Sequence, residues 1–201
     1  MIRVLLAEDQ GMVRGALTSL LGLEPDIEVV AQVARGDEVI GAARSVDPDV
    51  ALLDIEMPGA TGLEALAELR GAMPRCRILI LTTFGRPGYL RRAMETGASG
   101  FLLKDAPAQE LASAIRRAVA GERVVDPGLA AAALSEGESP LTAREQEVLA
   151  TSRNYATVAD IAGALFLSPG TVRNHLSSVM QKLNARNRAE ALKLAEEKGW
   201  L

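Results

Sequence analysis

An α/β doubly wound, five-stranded parallel sheet followed by an all-α four-helix domain is the architecture this sequence predicts. Three observations lead there. Through residues 1–120, short aliphatic runs alternate with longer amphipathic stretches, the rhythm of strand–helix–strand units. Runs such as Ile78-Leu79-Ile80-Leu81 show no polar alternation, as expected of strands covered on both faces. From Pro140 onward only helical periodicity remains.

Taken in order, strands are expected at Arg3–Ala7, Glu28–Ala34, Val50–Leu53, Ile78–Thr82 and Gly100–Leu103. Helices are expected at Met12–Leu23, Asp37–Val46, Leu63–Gly71, Gly88–Thr96 and Ala108–Ala120. A linker spans residues 121–139, where Asp126-Pro127-Gly128 and Ser135-Glu136-Gly137-Glu138-Ser139-Pro140 carry turn chemistry around a short helix at Leu129–Leu134. Residues 140–201 form the second domain. Its first helix starts at the capping box Thr142-x-x-Glu145 and its second at Thr157. After the turn Leu165-Phe166-Leu167, Ser168 caps a third helix with Pro169 at its first position. Val172, Leu176, Val179, Met180 and Leu183 recur at helical spacing and define its buried face. Two short helices joined by a tight turn make a helix-turn-helix, whose second helix reads DNA.

Composition narrows the chemistry. Hydrophobic residues at 48% and charged residues at 24% indicate a folded chain. Aromatics at 3% exclude a binder built on rows of stacked bases. A single cysteine (Cys76) and a single histidine (His175) exclude a disulfide, a thiolate cage and multi-histidine metal centres. The net charge of −4 conceals an asymmetry: residues 140–201 hold eight Lys/Arg against six acids, so residues 1–139 carry −6. Between Ser168 and Ala189 stand Arg173, Lys182, Arg186 and Arg188 with no acid. The N-terminal run meets Glu8 and Asp9 too early for a signal peptide, and no apolar stretch is long enough to span a membrane. A cytoplasmic protein without membrane insertion is expected.

In a parallel sheet the carboxyl ends of the strands share one edge, where ligands bind. Glu8 and Asp9 end the first strand, Asp54 the third and Thr82 the fourth, and Lys104 follows the fifth. Clustered carboxylates repel unless a cation joins them, and an all-oxygen site suits Mg²⁺. The turn Asp54-Ile55-Glu56-Met57-Pro58-Gly59 can aim a backbone carbonyl at the same ion.

Glu8-Asp9, Asp54 before Met-Pro-Gly, Thr82-Thr83 and Phe101-Leu102-Leu103-Lys104, in this order, resemble the receiver domain of bacterial two-component response regulators, of flavodoxin-like fold. The resemblance implies that Asp54 accepts a phosphoryl group from a sensor histidine kinase. It implies that Asp9 and Asp54 ligate Mg²⁺ with the carbonyl of Glu56, while Glu8 acts through water. Lys104 and Thr82 would hold the phosphoryl oxygens; on phosphorylation Thr82 would move toward them and Phe101 turn inward. Asp105 stands where many receivers have proline, which leaves that loop's geometry open.

Leu141-Thr142-x-x-Glu145, Ile161-Ala162, Ser168-x-x-Thr171-Val172-Arg173-Asn174-His175 and Lys182–Ala191 resemble the output domain of the NarL/FixJ (LuxR-type) class. On that helix Arg173 is the foremost candidate for base or phosphate contact. Asn174 suits adenine, and Thr171, Ser177 and Ser178 share its polar face. His175 suits a phosphate contact or packing, and Lys182, Arg186 and Arg188 the DNA backbone. Thr82–Tyr89 and Lys198-Gly199-Trp200-Leu201 narrow the resemblance to regulators of lipid desaturase genes in the cold response. The implied function is a transcription factor that dimerises on promoter DNA when phosphorylated, with RNA polymerase as a further partner. Val13, Ala16, Leu20, Ala112 and Ile115 suggest that the helices around them pair in that dimer.

Two other readings compete. A phosphatase of the haloacid-dehalogenase type would want a second aspartate two residues after Asp54, where Glu56 stands. A DNA-binding regulator independent of phosphorylation would leave the acidic cluster without a role. Asp54 is therefore expected to be a phosphoacceptor with at most slow self-dephosphorylation.

Overall fold

The computed structural model describes residues 1–83, 85, 87–105, 107–135 and 139–201. Two compact units emerge, one formed by Met1–Gly85 and Leu90–Ala131, the other containing Ala132–Leu201.

In the first unit, strands β1 (Ile2–Ala7), β2 (Ile27–Val33), β3 (Val50–Asp54), β4 (Arg77–Thr82) and β5 (Gly100–Leu103) are joined by α1 (Gly11–Leu21), α2 (Val39–Val46), α3 (Gly62–Ala72) and α4 (Pro87–Thr96), and α5 (Ala108–Val119) follows β5. A sixth strand, β6 (Val124–Val125), follows α5 and precedes α6 (Pro127–Ser135). The sheet is parallel throughout, in the order β2-β1-β3-β4-β5-β6. The expected five strands therefore become six. Val124 and Val125 extend the edge by pairing with Gly100 and Phe101. A two-residue run between Arg123 and Asp126 is too short to show strand periodicity, so it read as linker.

Alternation along the strands explains the layers. Val4, Leu6, Leu52, Leu79 and Leu81 face one side and pack with Leu21 of α1 and with Leu111, Ala112, Ile115 and Ala118 of α5. The intervening Leu5, Leu53 and Ile80 are equally buried, as are Val39 and Ala43 of α2 and Leu66 and Leu69 of α3. This corrects one expectation: Ala112 and Ile115 belong to the core and are not surface groups for pairing two chains. On α1, by contrast, Met12 is 89% exposed and Leu20 is 40% exposed.

Helix starts follow local chemistry. Thr61 caps α3 reciprocally with Glu64, its hydroxyl accepting from the Glu64 N–H at 3.3 Å. Every described peptide bond is trans, including that between Lys104 and Asp105.

The second unit contains α7 (Ala143–Thr151), α8 (Val158–Ala164), α9 (Pro169–Leu183) and α10 (Arg188–Glu197). Thr142, Thr157, Ser168 and Asn187 each cap a helix through a side-chain oxygen. Val148, Leu149, Ile161, Val172, Leu176 and Val179 make the core, with Ala191 and Ala195 of α10. Met180 and Leu183 pack at its margin.

Candidate functional site

At the carboxyl edge of the sheet, Glu8, Asp9 and Asp54 present carboxylate oxygens all within 4.8 Å of one another. Glu8 and Asp54 are buried and Asp9 is exposed. Lys104 Nζ stands 2.6 Å from Glu8 Oε2 and 2.9 Å from Asp54 Oδ2, neutralising part of the cluster. A polar cavity of about 70 Å³ opens above, lined by Asp9, Gln10, Asp54, Glu56, Thr82 and Thr83. Three acids against one ammonium leave negative charge facing this cavity, and every donor is oxygen. That set fits a hard divalent cation such as Mg²⁺.

The backbone is shaped to hold these groups. The Arg14 guanidinium reaches back from α1 and donates to the carbonyl of Glu8 at 2.6 Å and to that of Asp9 at 3.4 Å. Gln10 donates its N–H to Glu8 Oε1 at 3.2 Å. After β3, Gly59 turns the chain with φ 84°, and Gly62 lies so close that a β-carbon there would come within 2.0 Å of the Asp54 carbonyl oxygen. The Lys104 N–H donates to the Thr82 carbonyl at 2.9 Å, joining the ends of β4 and β5.

Electrostatics follow from burial. Loss of solvent pushes the Asp54 carboxyl above the usual range, against the opposing pull of Lys104. Burial also works against the charge on Lys104, yet hydrogen bonds to Glu8 and Asp54 hold its pKa above the ordinary value. The arrangement can bind a cation beside an exposed-edge carboxylate and offer an ammonium and a hydroxyl to an incoming anion.

Phe101 is fully buried, paired in the sheet between Ile80 and Val125. The inward position expected only after phosphorylation is thus already occupied. Phe84 and Arg86, part of the Thr82–Tyr89 motif, lie outside the described residues, as do Glu136, Gly137 and Glu138 of the linker.

On α9 the exposed face carries Arg173, Asn174 and Ser177. Thr171 and His175 are partly buried, and the Thr171 hydroxyl lies 2.8 Å from that of Ser168. Two expected DNA contacts are turned to an internal partner. Ser178 Oγ donates to Glu145 Oε1 at 2.6 Å, and Lys182 Nζ donates to Glu145 Oε2 at 2.6 Å. Arg186 pairs with Glu190 at 3.0 Å, and Arg188 donates to the Tyr155 carbonyl at 3.2 Å.

Sequence reasoning missed three groups. Arg14 drew no notice, although its place six residues after Glu8 puts it one turn into α1, within reach of the loop. Glu145 read only as a capping residue. Leu129 of α6 nestles so close to Gly85 that a β-carbon there would lie 2.2 Å from its Cδ2. No sequence signal announced that contact.

Comparison with known proteins now bears on this geometry. Residues 4–116 match the response regulator receiver domain, and residues 139–195 match the bacterial regulatory proteins of the luxR family. The chain is a response regulator. Among its relatives, the transcriptional regulatory protein DesR of Bacillus subtilis is 48% identical over 100% of this chain and 99% of its own. The uncharacterized transcriptional regulatory protein YvfU of the same organism is 49% identical over the whole of both chains. In the solved structures, response regulator ChrA of a heme-sensing two-component system covers 100% of this chain and 98% of its own, at 34% identity and a TM-score of 0.59. The acidic edge lies in the receiver domain and α9 in the LuxR-type DNA-binding domain, and relatives matching along the full length are transcriptional regulators. Among the described residues, no helix is long and apolar enough to cross a membrane.

Proposed function

We propose that Asp54 is the phosphoacceptor and that its phosphorylation by a sensor histidine kinase controls DNA binding by α9. The observation that carries this reading is a small polar cavity lined by Asp9, Asp54 and Thr82 at the carboxyl edge of the receiver sheet, with Glu8 beside the two aspartates and Lys104 paired to Glu8 and Asp54. A carboxylate oxygen of Asp54 attacks phosphorus, a P–O bond forms, and the P–N bond to the kinase histidine breaks with its electron pair returning to the imidazole nitrogen. Asp9, Asp54 and the Glu56 carbonyl would hold Mg²⁺, with Glu8 acting through water, and the bound ion would supply charge neutralisation for the transferring phosphoryl. Lys104 Nζ and the Thr82 hydroxyl hold the other phosphoryl oxygens, where preorganised donors do most of the work. Turnover of phosphate esters is not expected, because Glu56 rather than a second aspartate follows Asp54.

A phosphoryl group adds about −1.5 to −2 charge beside Thr82 and Lys104. Gly85 follows Thr82 by three residues and Leu129 of α6 rests against it, so a shift of this loop reaches the linker helix directly. The output is a dimer on promoter DNA in the cytoplasm, with α1 and its exposed Met12, Ala16 and Leu20 as the pairing surface, and RNA polymerase as a further partner. Arg173, Asn174 and Ser177 read bases, while Thr171, His175, Arg186 and Arg188 lie along the phosphates and Lys182 braces α9 against Glu145. The desaturase-gene subgroup is the assignment for its target, resting on the resemblance carried by Thr82–Tyr89 and Lys198-Gly199-Trp200-Leu201.

DNA binding with and without acetyl phosphate tests the reading. Affinity for a duplex selected from a random pool should rise with acetyl phosphate and Mg²⁺, and stay low in Asp54→Ala. Equal affinity in all states would favour the phosphorylation-independent regulator.

A further inference from the structure

Phe166 occupies the turn between the two helices of the DNA-binding motif in a conformation that suits it poorly. Its φ is 54°, in the left-handed region that glycine enters freely and a bulky residue does not. The turn closes on either side of it. The Phe166 N–H donates to the Gly163 carbonyl at 3.4 Å and the Leu167 N–H donates to that of Ala162 at 2.9 Å, the helix-ending pattern in which glycine is the usual occupant. Leu165 and Leu167 pack against the core of the domain, so the turn is anchored at both sides. Phe166 itself is 97% exposed. The turn therefore gains nothing from burying the ring, and its left-handed backbone is a cost that glycine would not carry.

We propose that Phe166 is a DNA contact, its ring lying against apolar surface at the edge of the major groove that α9 reads. Placement carries the choice of partner. Phe166 is two residues before Ser168, the N-cap of α9, and the exposed Arg173 and Asn174 follow within the next two turns. A recognition helix contacts base edges through its N-terminal residues, so the segment entering it runs beside the groove wall. From Ser168 to Ala189 no acid opposes phosphates. The apolar surface available there is deoxyribose or the thymine methyl, either of which a phenyl ring can cover. An aromatic ring removed from water on binding gives back what its exposure withholds from folding. The proposal rests on the DNA-reading role of α9.

The test uses the full-length phosphorylated chain and a duplex that the wild type enriches from a randomised pool. Phe166→Gly should raise the thermal midpoint, by relieving the left-handed backbone, and weaken binding about fivefold or more. Phe166→Tyr should keep the wild-type affinity. Replacing thymine by deoxyuracil separates the two surfaces. If the wild type then falls to the affinity of Phe166→Gly, which is itself unaffected, the ring covers a methyl. If both proteins fall by the same factor, it covers deoxyribose. Unchanged or tighter binding by Phe166→Gly overturns the proposal. So does unchanged binding with lost transcription in a reconstituted RNA polymerase assay, which would assign the ring to a protein partner. If the wild type enriches no duplex, this role and the DNA-reading role fall together, whereas selective wild-type binding with an indifferent Phe166→Gly removes this one alone.

Discussion

Lys104 Nζ lies 2.9 Å from Asp54 Oδ2 and is shared with Glu8, so one ammonium already neutralises two of the three carboxylates a divalent cation would need. The same group is placed to meet a phosphoryl oxygen. Its two roles pull in opposite directions, which makes its removal informative.

Lys104→Met should bind Mg²⁺ several-fold more tightly, because an interaction of about 1 kcal/mol or more no longer competes for the carboxylates. Phosphorylation by acetyl phosphate should nonetheless slow by about tenfold or more at saturating Mg²⁺. Calorimetric Mg²⁺ titration and a phosphorylation time course check the two halves. Slower phosphorylation with weaker Mg²⁺ binding would mean that the substitution merely disorders the pocket.

Arg14 acts on the same pocket through the backbone, its guanidinium bound to the carbonyls of Glu8 and Asp9. Arg14→Ala should raise the Mg²⁺ concentration for half-maximal phosphorylation several-fold while leaving the saturating rate near wild type. Arg14→Lys should recover part of the loss, since a single donor can still reach one carbonyl. A fall in the saturating rate with no change in Mg²⁺ requirement would contradict this role.

Glu145 ties the start of α7 to Ser178 and Lys182 of α9. Desolvation of this buried carboxyl opposes ionisation, yet Lys182, Ser178 and the Thr142 cap together hold its pKa at about 2. The folded value lies below the unfolded one, so this stabilisation is present above pH ~4.5 and is lost as pH falls toward ~2. Glu145→Gln should cost about 1–3 kcal/mol at neutral pH and flatten the acid side of the stability curve. Urea unfolding followed by the fluorescence of Trp200, the single tryptophan, reports it. An unchanged acid slope would show that Glu145 is not the group responsible.

Arg173 and Lys182 stand on one helix with different attachments. Arg173→Ala should weaken binding to a selected duplex by about 1–3 kcal/mol and reduce its preference over random DNA. Lys182→Ala should lower unfolding stability more than sequence preference, because its partner is Glu145. Competition binding and denaturation on both variants distinguish them; identical profiles would remove the distinction.

Much of this was legible in the sequence because the signals were redundant. The aliphatic runs of β1, β3 and β4 have no polar alternation, and Thr142, Thr157 and Ser168 mark helix starts by side-chain chemistry alone. The acidic edge was legible because parallel topology sends Glu8, Asp54, Thr82 and Lys104 to one side. What escaped notice depends on three-dimensional reach. Val124 and Val125 form a strand only because β5 offers an unpaired edge. Ala112 and Ile115 look like small and apolar surface residues until α5 is turned onto the sheet. Ser178 and Lys182 share the polar face of α9 with Arg173, but α7 delivers Glu145 to their end of it.

The phosphoacceptor assignment is tested most directly by intact-mass spectrometry of the full-length chain after incubation with acetyl phosphate and Mg²⁺. The wild type should gain the mass of one phosphoryl group, gain none when Mg²⁺ is chelated before the donor is added, and show none in Asp54→Ala. A phosphoryl adduct that survives in Asp54→Ala, or a wild type that never gains one, would contradict the account.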